Sequence, residues 1–113
     1  MDIVIFESRS EDRIRKWLES TADVNIILDK YDRRPIHFIA YYGFDGCLSL
    51  AIQLGANADV RTSLGDTPLI LSCVRGHLKC VDILVQSGAD KNFVNTHETL
   101  RLVQQLGLNI KVV

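Results

Sequence analysis

Residues 65–92 read GDTPLILSCVRGHLKCVDILVQSGADKN, and residues 32–59 carry the same layout 33 positions earlier, as DRRPIHFIAYYGFDGCLSLAIQLGANAD. Pro35 answers Pro68, Gly43 answers Gly76, Cys47 answers Cys80, and Gly55-Ala56 answers Gly88-Ala89. A fixed period of this size marks units that each form one supersecondary element and need neighbours to cover an apolar face. Function is then expected on a surface rather than in a deep pocket.

The punctuation inside each unit is helical. Pro35 and Pro68 suit a first helical turn, where the missing N–H removes no hydrogen bond. These helices are expected to end at about Tyr42 and Arg75, because Gly43 and Gly76 follow as left-handed stops. A second helix is expected to start near Asp45 and near His77. Its apolar face is Leu48, Ala51 and Ile52 in one unit and Val81, Leu84 and Val85 in the other, spaced i, i+3, i+4. Gly55 and Gly88 close these helices, and residues 57–65 and 90–97 are polar and turn-like. Each unit is helix, turn, helix, glycine stop and extended loop, so the fold class is all-α.

The flanks are degraded copies. Ile14, Trp17 and Leu18 continue the apolar face, with Trp17 expected in the core. Ala22-Asp23-Val24-Asn25 matches Ala89-Asp90-Lys91-Asn92 at an offset of 67, one more than two periods. One residue is therefore inserted in the loop before Pro35. Leu102-Val103-Gln104 echoes Leu84-Val85-Gln86 without the proline and glycine of a full unit. Terminal units of a stack are atypical because one side has no neighbour. The expected organisation is one domain: a degenerate first unit over about 1–30, units over 31–63 and 64–96, and a partial C-terminal cap over 97–113.

Composition narrows the function classes. The 113 residues carry a formal net charge of −1, so no global field draws the chain to nucleic acid or an acidic membrane. The basic clusters Arg13, Arg15, Lys16 and Lys30, Arg33, Arg34 have acidic neighbours and read as solvated mixed faces. No apolar run reaches a membrane span, and the N-terminus lacks the pattern of a signal peptide. Three cysteines without a Cys-x-x-Cys pair fit a reducing compartment, cytoplasmic or nuclear. They read as small core residues, not metal ligands. No nucleophile elbow, phosphate loop or His-Glu-x-x-His motif is present, so no catalysis, metal or cofactor is expected. A metal-dependent enzyme and a nucleic-acid binder remain only as alternatives.

Gly65-Asp66-Thr67-Pro68-Leu69, Gly76-His77 and Gly88-Ala89-Asp90-Lys91-Asn92 closely resemble ankyrin repeats, while Pro35-Ile36-His37, Gly43 and Gly55-Ala56 match less fully. The resemblance implies a solenoid whose inner helices line a concave face. It places Ile39-Ala40 and Ser72-Cys73 in the core and makes His37 and His77 structural hydrogen-bonders. It turns Phe38, Tyr41, Tyr42, Leu71, Val74 and Arg75 towards the concavity, with Val4, Glu7 and Ser8 in the same places of the first unit. At the loop tips it implies Tyr31, Arg33, Leu64 and Asp66 as further partner-binding residues. For Phe38 and a tyrosine the alternative is packing between inner helices. Departures are Asp32 for the hairpin glycine, Arg34 for threonine and Ile70 for histidine, so a softer hairpin–helix junction is expected. Family asparagines of this kind can be hydroxylated, which makes Asn25 and Asn92 candidates. The implied function is binding another protein, as inhibitor or adaptor, by a chain that is monomeric when alone. The layout is also similar to that of small ankyrin inhibitors of actin capping protein, which makes capping protein a candidate partner.

Overall fold

The computed structural model describes residues 2–89 except residue 22. The expected cap over 97–113, and Asn92, lie outside the described residues. Six helices and no strands form the described part: α1 (Asp2–Glu7), α2 (Glu11–Ser20), α3 (Pro35–Tyr42), α4 (Asp45–Gln53), α5 (Pro68–Arg75) and α6 (Leu78–Gln86). They pair as α1/α2, α3/α4 and α5/α6. The inner row is α1, α3, α5 and the outer row is α2, α4, α6, each helix packing on the next in its row or on its own partner.

Local chemistry explains the helix ends. Ser10 caps α2 by accepting from the Arg13 N–H, and Glu11 and Asp12 sit in the first turn, where the helix dipole favours negative charge. Pro35 and Pro68 open α3 and α5. Gly43 and Gly76 close them at φ 81° and 74°. At Gly43 a side chain is doubly excluded, because a Cβ would also lie 2.5 Å from Nδ1 of His77.

The core runs through the stack as one cluster. Ile14, Trp17 and Leu18 of α2, Cys47, Leu48 and Ala51 of α4, and Cys80, Val81 and Leu84 of α6 are its outer contribution. Ile36, Ile39, Leu69 and Cys73 come from the inner row. In the degenerate first unit Phe6 fills the same layer, edge-on to Trp17 at 5.0 Å between ring centroids. Trp17 is thus a core residue. The buried Ser72 hydroxyl donates to the Pro68 carbonyl at 3.0 Å, which satisfies it within its own helix.

The loops are tied by side chains. Asn25 donates to the Gly55 carbonyl at 3.1 Å and accepts from the Asn57 N–H at 2.8 Å, joining successive units. In the first full hairpin Asp29 Oδ1 accepts from the N–H groups of Tyr31 and Arg33. In the next, Thr62 Oγ1 accepts from Leu64 and Asp66, each 33 residues later. Asn25 and its counterpart Asp59 are 34 apart. The inserted residue therefore lies between Asn25 and Asp29.

Candidate functional site

The concave side of the inner helices, together with the hairpin tips, encloses a groove of about 590 Å³. From α3 come His37, Phe38, Tyr41 and Tyr42, and from α5 comes Leu71. Tyr31 and Arg33 reach in from one hairpin, Thr62, Leu64 and Asp66 from the next, and Arg9 from the turn after α1. Helical spacing builds the floor, since positions 38, 41 and 42 of α3 share one face.

The rings differ in how far the stack holds them. Phe38 is 9% exposed, between Phe6 at 5.7 Å and Tyr42 at 6.2 Å. Tyr42 is half-buried and donates its hydroxyl to the Phe6 carbonyl at 2.8 Å, tying α3 to α1. Burial pushes its phenol above the ordinary value, partly countered by Arg9. Tyr41 is 38% exposed and packs edge-on to Tyr42. Its backbone carbonyl lies 2.9 Å from Nε2 of His77. Leu64 at the hairpin tip is 77% exposed.

Three guanidinium groups lie on these rings. Arg33 sits 5.1 Å from the Tyr31 centroid and 5.2 Å from that of Phe38. Arg75 is 4.9 Å from Tyr41, and Arg9 is 5.6 Å from Tyr42. Contacts of this kind combine charge with a large, partly desolvated apolar surface. Arg33 also pairs with Asp29. Burial works to raise the Asp29 carboxyl, but hydrogen bonds from Arg33 and Tyr31 outweigh it and hold the group below the usual range.

Most residues expected from sequence at the concave face and loop tips thus come together, but Val4, Glu7 and Ser8 of the first unit do not line the groove, and neither do two residues of α5. Val74 and Arg75 stand beyond the groove lining, at the C-terminal end of α5, with Arg75 linked to it through Tyr41. Arg9 was not among the expected residues. The signal for it is the inserted loop residue: shifted by 34, Arg9 stands opposite Gly43, and its backbone is left-handed at φ 54°.

His37 is structural. Its Nδ1 accepts from the Arg34 N–H at 2.9 Å, so Nε2 carries the proton and donates to the Val60 carbonyl at 3.0 Å. Burial lowers its pKa, with the Arg34 charge acting the same way and the Val60 contact opposing. Cys47, Cys73 and Cys80 are buried thiols. Burial pushes Cys73 and Cys80 up to about 11. Among the described residues no group of three potential metal-ligating side chains gathers. Nor is any described helix long and apolar enough to cross a membrane.

A family model described as ankyrin repeats, in three copies, matches residues 3–95. The chain is similar to ankyrin repeat domain-containing protein 37 of Mus musculus, 35% identical over 77 residues, which cover 68% of this chain and 48% of that protein. The Homo sapiens counterpart is 32% identical over 84 residues, covering 74% and 53%. Ankyrin repeat and SOCS box protein 3 of Homo sapiens is 34% identical over 92 residues, covering 79% and 18%. The chain spans about half the length of the protein 37 relatives.

Proposed function

The chain belongs to the ankyrin-repeat family, and from that premise we propose that it binds another protein in the groove between its inner helices and hairpin tips. It works as an inhibitor or adaptor, by occupying a surface rather than by catalysis, on a cytoplasmic or nuclear partner. The units over 31–63 and 64–96 carry the site, and the unit over 1–30 closes its side.

The observation that carries this reading is the exposed Tyr41, set between the buried aromatic floor and the Arg75 guanidinium. Tyrosine and arginine beside a desolvated floor form the usual centre of a binding surface. Phe38 and Tyr42 support that centre from below, and Leu64 offers apolar area at its edge. Affinity capture with the immobilised chain, compared with Tyr41→Ala, tests the reading. Proteins retained by the parent chain are expected to be lost from the variant while the melting temperature holds. Equal retention by both would overturn it.

A narrower reading is myotrophin-like inhibition of actin capping protein. It rests on the degenerate first unit and the inserted loop residue, whereas the relatives reported above bear other names. Retention of capping protein by the parent chain and its loss with Tyr41→Ala is the result this reading requires.

A further inference from the structure

Resting on the groove as a protein-binding surface, we propose that it takes an extended acidic segment of the partner, whose carboxylates sit on the guanidinium edges of Arg9 and Arg75 at either end of the Tyr42–Tyr41 pair. The row is continuous. Arg9 lies on Tyr42, Tyr42 meets Tyr41 at 6.0 Å, and Arg75 lies on Tyr41. Tyr41 and Tyr42 end α3, Arg75 ends α5 and Arg9 follows α1, so the row crosses all three units at the C-terminal ends of the inner helices.

A guanidinium lying on a ring keeps N–H groups at its edge that can meet a carboxylate. Arg9 directs one of its donors to the Tyr42 hydroxyl and has the others for a carboxylate. Among the described residues the ion pairs are Glu11–Arg15 and Asp29–Arg33, and neither involves Arg9 or Arg75. A cation near a helix C-terminus is also favoured by the dipole, but both groups here are placed on rings. Arg9 adds an independent sign. It holds a left-handed backbone at the position where the other two units have Gly43 and Gly76. That conformation is costly for a side chain with a Cβ and is kept where the side chain serves a purpose.

The surrounding charges set the kind of anion. Glu7 lies beside Tyr42, and Asp66 beside His37 at the hairpin side, where Asp29 is already paired. These acids and the net charge of −1 oppose a dense polyanion such as nucleic acid. They suit a few spaced carboxylates. Val4 of α1 and Val74 of α5 are each more than half exposed and offer apolar area on the same helices.

The test is selection of short random peptides displayed on phage against the full chain, followed by fluorescence polarisation of an enriched peptide. Three comparisons accompany it: the same peptide with Asp and Glu changed to Asn and Gln, a single-stranded oligodeoxynucleotide, and the chain variants Arg9→Asn, Arg75→Gln and Tyr41→Ala. Asn tolerates the left-handed turn, and thermal melts establish that each variant folds. Enrichment of Asp and Glu is expected, with binding weakened about tenfold by the amide peptide and about fivefold by each arginine variant. Binding is also expected to weaken as salt rises from ~0.05 M to ~0.5 M. Enriched peptides without acids that still need Tyr41 would overturn this inference and leave the groove reading standing. Acidic peptides indifferent to every groove variant would overturn both. An absence of enriched peptides, or tighter binding of the oligonucleotide, would overturn the acidic-segment inference.

Discussion

The hairpin–helix junctions of the two full units have one shape and different chemistry. Asp29 and Thr62 do the same work, each accepting two hairpin N–H groups. Asp32 and Gly65 share a left-handed backbone, at φ 58° and 87°. At the helix start the units diverge. Thr67 caps α5 by accepting from the Ile70 N–H at 3.2 Å, and Ile70 is buried apolar. Arg34 offers α3 no side-chain cap. There His37 reaches back to the Arg34 N–H and forward to Val60, in the approach to the next hairpin. Each unit keeps one half of a two-part clasp. The first keeps the half that links neighbouring units, and the second keeps the half that acts within one helix.

The largest effect expected from that difference is at His37. His37→Ala leaves a cavity and two unpartnered backbone groups, and should cost about 2–4 kcal/mol in urea unfolding. A pH dependence accompanies it. Folding holds the imidazole below its ordinary value of 6.5, chiefly through burial, so the unfolded chain binds the proton more readily. This contribution to stability is complete above pH 6.5 and is lost as pH falls from 6.5 towards the folded pKa. His37→Ala should flatten that slope. An unchanged slope would mean that His37 is not the group responsible.

Thr67→Ala comes next, at about 1 kcal/mol, the usual value of a lost N-cap. It should act alike at every pH, since Thr67 does not titrate. If its cost equals that of His37→Ala, the link between units has no more value than a local cap, and the contrast between the junctions collapses.

Much of this was legible in the residues. Pro35 and Gly43, and Pro68 and Gly76, mark both ends of α3 and α5 because a locked φ and a left-handed stop are properties of single residues. The groove followed from the resemblance to ankyrin repeats, which implied that Tyr41, Leu71 and the hairpin tips share the concave side. Arg9 escaped because the first unit has lost its glycine stop, and only the inserted loop residue brings it opposite Gly43. The equivalence of Asp29 and Thr62 was hidden for another reason. A carboxylate and a hydroxyl look unrelated in sequence, and both become acceptors only once the hairpin has closed. How deeply Phe38 and Tyr42 are held depends on Phe6, a large residue in a unit whose pattern is weak.

The smallest effect is the most specific test of the divided clasp. Arg34→Thr gives α3 the cap that α5 has, and removes a buried Nε that has no hydrogen-bond partner. Against this gain stands the lost packing of the arginine stem, so the net stabilisation should be about 0.5 kcal/mol. The stronger signature lies in His37. Arg34 is one of the charges that lower its pKa. Removing that charge should move the His37 titration, followed by NMR, back towards its ordinary value while burial still holds it below. Stability and titration must then move together. Stabilisation with a fixed His37 would mean that the two halves of the clasp act independently. A shifted His37 with no gain in stability would mean that the introduced hydroxyl does not cap α3.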